Sequence, residues 1–569
     1  MYKVFYYIAI FQLIFVFNAS FGQTSSNWER IYLHTDRDIY IAGEELFFKC
    51  YRYNSSTEKQ LVASRYVYLV LRNERNLHIH NICFKLVDDM FSGSIYLPDT
   101  LSTGRYQLVS YTNYMRNLGE DIYFTKEILI ANRFDKDLIG IYAKIPYDTL
   151  VSFNYQVLKD KDKYLNATPE RKEYSKLEKI RVNLEAIGLK NNEFAHVSVS
   201  VHEKTFQQDN MLRTKSSNLT TGSLSCRYLP EIKDVLLEGR VINEESKQVT
   251  PNISVFLSLP DTIANLQFTR TNRDGIFRFL LNNYYYDKNL ILSLPDYTKG
   301  HIELDNKYDL KEPFNPSRVF SDSLLKDYLH KSQNIVQIQK AFKFDNKQVL
   351  VDTNYVHDIP PLAYPPVSNS VYPGDFASLP DFIEISREIL PMLKIRKNET
   401  AYETRVFNLN DSKFFDQDPL IFLDGVPINS INQILSLGTE KIYKIETITA
   451  ERYDRGLFFS GVLAVFSKKM EINNIILSTS TLFNKYIELQ PQSTFKVADL
   501  SKFNVAPDFR QLLYWEPSIN LASNEKKYIE FTASDNKGEF EVAIEGITSD
   551  GNFINVKSSF KIGSKSSNK

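Results

Sequence analysis

DPLIFLDGVPINSINQILSLGTEKIYKIETITAERYDRGLFFSGVLAVFSKK, residues 418–469, contains three apolar runs separated by turn signals. Leu420 to Leu423 is short and wholly apolar, the pattern of a strand buried on both faces. Asp424-Gly425 turns the chain. Ser430 with Gln433 three residues on reads as a capping box for a short helix carrying Ile431, Ile434 and Leu435. Gly438 stands where a left-handed residue would end that helix. A second strand follows through Ile445, Thr447 and Ile448, and Tyr453 to Gly456 supplies a turn. Gly461 to Phe466 is a third apolar strand.

PLIFLDGVPI (Pro419 to Ile428), IYKIETI (Ile442 to Ile448), YDRG (Tyr453 to Gly456) and SGVLAVFSKK (Ser460 to Lys469) together resemble the plug domain of TonB-dependent outer-membrane receptors. Leu379 to Ile383 and Pro391 to Ile395 fit that plug's earlier helix and strand. The resemblance implies a small α/β unit at 375–470. It would place Asp424, Gly425, Val426, Pro427, Tyr453 and Arg455 against a partner.

The rest of the chain reads as β. Its 569 residues allow several domains, since single cores stop growing near about 250–300 residues. The 13% aromatic content, with 35 Tyr and 39 Phe, suits tandem antiparallel β-sandwiches. A formal net charge of −1 argues against nucleic acid or anionic membrane as a partner. Residues 1–22 read as a signal peptide, with Lys3, an apolar Ile8 to Phe17, and Ser20-Phe21-Gly22 ahead of Gln23. Cys50, Cys83 and Cys226 are too few for a disulfide framework. Cys50 and Cys83 are either a pair or separate buried thiols.

In chain order, alternation at Ile31 to Leu33, Leu46 to Tyr51 and Tyr66 to Val70 gives a sandwich at 23–132. Its stretches Ile31 to Lys49 and Ser92 to Tyr111 are similar to a macroglobulin domain of the α2-macroglobulin family. That family's protease-trapping members carry a Cys-x-Glu-Gln thioester, which none of the three cysteines here begins. The module therefore implies a scaffold. A second macroglobulin-type sandwich is expected at 133–225, with Val197, Val199 and Val201 facing its core and His196, Ser198, Ser200 and His202 facing away. Glu238 to Val241, Ile253 to Leu257 and Asn272 to Phe279 resemble a carboxypeptidase regulatory-like sandwich, expected at 230–300, with Asp274-Gly275 as a hairpin-type turn. One or two short helices and a linker fill 301–374. A C-terminal sandwich at 471–564 would join Tyr528 to Ala533 and Phe540 to Ile544 across Asp535 to Gly538, with Trp515 over its core.

A plug's own barrel needs about 22 strands of about ten residues. Fewer residues than that follow Lys469, and they alternate as a soluble sandwich. No phosphate loop, nucleophile elbow or His-Glu-x-x-His pair occurs. His78 and His80 share a strand face without a third ligand, and Ser323-Leu-Leu-Lys326 lacks its partner motifs. No catalytic residue, metal or cofactor is expected. The sequence thus describes an exported, non-catalytic scaffold or binding protein at the outer membrane, periplasmic or on the cell surface. It would dock through its plug-like domain on an outer-membrane β-barrel or envelope complex. The alternative is an adhesion or ligand-binding protein with a vestigial plug.

Overall fold

Strand Glu45–Asn54 is buried on both of its faces along most of its length, and this reveals how the first sandwich is placed. Phe48 and Cys50 turn into its own core, where the Phe48 ring lies 5.7 Å from Phe84 and 6.0 Å from Phe91. Phe47 and Tyr51 turn the other way, Phe47 toward Leu512 and Trp515, and Tyr51 toward Ser198. A strand read as amphipathic therefore lies between two cores. The computed structural model describes residues 28–54, 63–135, 163–204, 212–213, 227–262, 266–282, 285, 288–295, 299–316, 323–341, 347–349, 367–376, 379–398, 402–454, 457–474, 481–485, 489–496 and 508–563. The chain divides into two units. One is Met1–Ile232 with Tyr308–Asp352 and Gln490–Lys569, the other Lys233–Lys307 with Thr353–Leu489. Both are mainly β, built of facing sheets.

In the first unit, Glu29–Thr35, Glu45–Asn54 and Met90–Tyr96 form one antiparallel sheet. Phe124–Ala131, Gly104–Thr112, Tyr66–Asn73 and His78–Lys85 form the main body of the facing sheet. Cys50 and Cys83 are separate buried thiols within this sandwich. Cys226 and residues 1–22 lie outside the described residues.

The second sandwich corrects the domain boundaries read from sequence. Phe194–Glu203 is the central strand of a sheet ordered Glu173–Ser175, Phe553–Gly563, Gly538–Thr548, Phe194–Glu203, Leu512–Ala522. Facing it, Lys179–Ala186 sits between Lys526–Thr532 and Leu165–Pro169. Strands within 165–203 and 512–563, assigned to separate domains, thus build one sandwich, with a single core running from Tyr164 to Ile562. Neither half could bury its apolar faces alone, since Val197, Val199 and Val201 share their sheet face with Leu513, Val542 and Ile544, and the facing sheet covers them with Val182 and Leu184 from one half and Ile529 and Phe531 from the other. Lys526–Thr532 and Gly538–Thr548 lie in different sheets, so Asp535 to Gly538 crosses between layers and is not a hairpin. Asp550-Gly551 does close a hairpin, with Gly551 at φ +82°.

One helix, Ser323–Ala341, spans the segment read as one or two short ones. Leu329 and Val336 cover Ile39, Ile41, Leu129 and Ala131 of the first sandwich. Its polar side bonds to both sandwiches. Lys340 Nζ sits 2.6 Å from Asp99, Lys331 Nζ 2.5 Å from Glu203, and Gln511 Nε2 donates to Ser332 Oγ at 2.7 Å.

The second unit holds a small two-sheet sandwich and a mixed sheet. Val235–Asn243 pairs with Ile276–Leu281 and Gly300–Leu304, while Ser254–Ser258 pairs with Gln267–Arg270 and Asn289–Ser293. Asp274-Gly275 turns the chain from one of these sheets to the other, with Asn272 Oδ1 accepting from the Asp274 and Ile276 amides, so it is not a hairpin turn. The mixed sheet is ordered Asn369–Val371, Ile442–Asp454, Leu457–Ser467, Leu420–Leu423, Val426–Ile428. Leu420–Leu423 runs parallel to Leu457–Ser467 and is an interior strand covered on both faces, as its apolar run requires.

Two local readings in the mixed sheet fail. Ser430 Oγ accepts from the Asn432 amide at 3.2 Å and caps no helix; Asn432–Leu435 begins after Ile431 without a side-chain cap. Gly438 is extended at φ −64°, because that helix has already ended at Ser436. The glycine that geometry demands is Gly461, at φ +80° in a bulge where a Cβ would meet Ile448 O at 2.8 Å and Val406 Cγ1 at 2.9 Å. Gly461→Ala is expected to destabilise the second unit by about 2 kcal/mol through the left-handed backbone and this overlap. Faster amide exchange confined to Leu457–Ser467 and Tyr402–Asn408 checks it; unchanged protection there refutes it.

Candidate contact site at the Asp424 turn

Asp424 and Gly425 take φ +49° and +83°, the pair of positive angles that a tight two-residue hairpin needs. They join Leu423 to its partner Val426. The Asp424 side chain does more than permit the turn. Its carboxylate accepts from the Ser467 amide at 2.6 Å, the Ser467 hydroxyl at 2.8 Å and the Ile472 amide at 3.1 Å. Its backbone N–H donates to Val465 O, and its C=O accepts from Asp261 N, both at 2.9 Å. The residue is 1% exposed. It ties the hairpin to the end of the neighbouring strand and to the loop of the adjacent sandwich.

The residues named from sequence as partner contacts therefore separate. Asp424, Gly425 and Val426 are buried within the chain and present no surface to a partner, because the turn folds inward on Ser467. Pro427 is half-buried on the edge strand Val426–Ile428. Tyr453 is placed by its backbone opposite Phe458. Arg455 lies outside the described residues.

Pro427 does line a cleft, together with Ile428, Asn429 and Leu420 on one side and Ile291, Ser293 and Thr481 on the other. Three sequence-distant pieces meet there, which is why local reading missed it. Pro427 has no N–H to offer a further strand, so this sheet edge is blunted at the cleft. On the sheet's two faces, Leu423, Leu463 and Val465 lie with Phe382 and Ile385, and Phe422, Val462 and Phe466 lie with Leu266 and Phe256.

The first unit holds a buried polar seam on the strand face that the alternation sets opposite Val197, Val199 and Val201. Ser198 Oγ meets His34 Nδ1 at 2.6 Å and accepts from the Tyr51 hydroxyl at 2.9 Å. Tyr32 donates to Glu545 at 2.6 Å, and Ser200 donates to Asp36 O at 2.6 Å. Burial pushes the His34 imidazolium down to about 4 and the His202 imidazolium down to about 3, so both rings are neutral at pH 7. Ser198, His34 and Glu545 have the residue types of a proton relay. His34 Nε2 is 4.0 Å from Glu545, and all three side chains are buried between sandwiches, so their geometry serves cohesion. Trp515, 3% exposed with its ring 5.1 Å from His34, closes the seam. The signal was present in Ser198 and Ser200, small hydroxyls on one strand face where a solvated face would carry charge.

The remaining candidates resolve as structural. His78 Nδ1 meets Asn81 at 3.0 Å and His80 Nε2 meets Tyr96 O at 2.9 Å. Among the described residues no group of three His, Cys, Asp or Glu is placed to hold a metal. Asp36 and Arg37 pair at 3.1 Å, and Asp38 pairs with Lys126 at 2.8 Å. Among the described residues no helix is long and apolar enough to cross a membrane.

No protein-family model matches the sequence, and no curated protein is significantly similar to it. Solved structures similar to this chain include the α2-macroglobulin of Salmonella reacted with methylamine, at 7% identity and a TM-score of 0.24, covering 94% of this chain and 39% of that one. Escherichia coli α2-macroglobulin activated by porcine elastase matches at 7% identity and a TM-score of 0.24, covering 94% and 44% respectively. The chain spans about two fifths of the length of these neighbours.

Proposed function

We propose that the chain is an exported, non-catalytic scaffold of a Gram-negative envelope that binds another protein through its second unit. The partner in this reading is an outer-membrane β-barrel or an envelope complex. The observation that carries it is the Pro427 edge. A mixed sheet of plug-like sequence is covered on both faces within its own unit, while its short edge strand borders a cleft. Covered faces beside an open cleft suit docking in that cleft, and the small sandwich beside it supplies the opposite wall. The resemblance of 375–470 to a receptor plug supplies the class of partner. Exposed Tyr372 and Tyr443, with rings 5.5 Å apart beside exposed Phe376, favour the second reading, an adhesion or ligand-binding protein.

A photo-crosslinker at Gln433, which also lines the cleft, in the full chain within its native envelope, tests the first reading. One barrel-sized adduct is expected, lost when Asn429→Arg and Thr481→Arg are combined. Partner profiles identical for wild type and double variant would remove the docking reading. A profile changed only by Tyr372→Ala with Tyr443→Ala would transfer the role to the aromatic pair.

A further inference from the structure

We propose that the edge of strand Asn289–Ser293 is a seat for an extended segment of a partner protein, and that Thr481–Lys485 is its exchangeable occupant. The inference rests on the binding reading above and names the element that would be bound. Thr481–Lys485 is a five-residue strand paired antiparallel, Asn289 with Lys485 through to Ser293 with Thr481. It comes from beyond the mixed sheet, far along the chain from the sandwich that it completes.

Burial across this pair is lopsided. Leu290, Ile291 and Leu292 are buried core residues, whereas no residue of Thr481–Lys485 is buried and Phe483 is 56% exposed. Elsewhere an edge strand is anchored by its side chains: Leu512–Ala522 buries Leu513, Trp515 and Leu521. Thr481–Lys485 is held chiefly by its main chain. Such a seat tolerates other sequences, because backbone hydrogen bonds are common to all of them.

The seat cannot stand empty at low cost, since the edge of a core strand would then present unpaired amides and carbonyls beside buried leucines. Side-chain selectivity can come from its Ser293 end. There the strand runs into the cleft bounded by Leu294, Pro295, Pro427 and Ile428. In the antiparallel register, residues preceding the Thr481 position of an incoming segment would reach that cleft. The fitting partner is thus an extended strand with an apolar residue just ahead of its paired stretch.

The test uses the full chain and a fluorescent peptide of sequence LSTSTLFNKY, residues 477–486. Replacing Thr481–Lys485 by Gly-Ser repeats is expected to tighten peptide binding at least about tenfold over wild type, because the internal occupant no longer competes. Amide protection at Asn289–Ser293 should return when peptide is added. A locked chain, Asn289→Cys with Lys485→Cys oxidised to a disulfide between two exposed positions, should bind no peptide and lose the envelope partner. Equal peptide binding by wild type and Gly-Ser chain overturns the proposal. So does a locked chain that still captures the partner, which would leave the docking reading standing. A wild-type dimer dissolved by the Gly-Ser replacement would make the occupant a second copy and also overturn it.

Discussion

Acidification from pH 7 to 5 is expected to lower the unfolding free energy of the first unit by about 4 kcal/mol, about 2 from each of two histidines. In the unfolded chain His34 and His202 take a proton near 6.5, whereas burial in the seam lowers them to about 4 and about 3. Above pH 6.5 both states are neutral and neither ring contributes. Below it the unfolded state binds protons that the folded state resists, and stability falls as pH falls toward the folded values. His34 faces Glu545 and Asp38, which favour its charge, and Lys126 and Lys557, which oppose it. His202 faces Asp38 on the favouring side and Arg37, Lys557 and His34 on the opposing side. Burial outweighs all of these. Half-buried His80, also lowered by burial, adds a smaller share in the same direction. Glu516 and Glu541 are raised by burial and act oppositely, but they are common to wild type and a histidine variant. The chain has two tryptophans, Trp28 and Trp515, both buried in the first unit, so intrinsic fluorescence in urea follows that unit alone. Combining His34→Gln with His202→Gln should flatten the mean slope between pH 6.5 and 5 by about 2 kcal/mol per pH unit. Equal slopes in wild type and double variant would refute the assignment.

The seam also shows what the sequence could and could not carry. Leu420–Leu423 and the Asp424-Gly425 turn were legible because their cause is local. Four apolar residues in a row need cover on both faces, and Asp-Gly accepts two positive φ angles. The mainly β sandwich architecture followed from alternation. Alternation distinguishes two faces of a strand, but it does not say what covers the polar one. The His196 to His202 face was read as pointing away from a core, and so it does, Ser198, Ser200 and His202 into a second buried layer. The pairing of Phe194–Glu203 with Leu512–Ala522 and Gly538–Thr548 was likewise invisible, because a long intervening stretch separates the partners and each half alone reads as a complete sandwich. Gly438 and Ser430 mark the opposite failure. Both are proper helix signals, overridden where the helix lasts four residues and the chain must reach the next strand. In the contact site, composition located the turn. The inward direction of the Asp424 carboxylate depends on Ser467 and Ile472, which only the fold brings near.

Asp424→Ala is expected to destabilise the second unit by about 4 kcal/mol. The alanine leaves the Ser467 and Ile472 amides without their acceptor in a buried setting, at about 1–3 kcal/mol for each unsatisfied group. It also places a Cβ residue lacking a polar side chain at φ +49°, worth about 1 kcal/mol more. Asp424→Gly separates the two causes, since it loses the same hydrogen bonds without the backbone strain and should be milder by about 1 kcal/mol. Asp424→Asn keeps one acceptor oxygen and the tolerance of positive φ, so it should fall between wild type and glycine. With two units, a single unfolding curve is not one equilibrium, and the readout must be local. Hydrogen exchange of peptides covering 418–428 and 457–474 is expected to accelerate in the order Asn, Gly, Ala, with first-unit peptides unchanged. Protection equal to wild type in the alanine variant would show that the carboxylate holds nothing. The order matters for function as well. Pro427 and Ile428 form a cleft wall only while the turn is pinned, so a variant at Asp424 should lose partner capture through disorder of that wall. Asn429→Arg, at the exposed mouth, should lose capture with exchange unchanged. That pair of outcomes divides a residue that builds the site from one that touches what binds there.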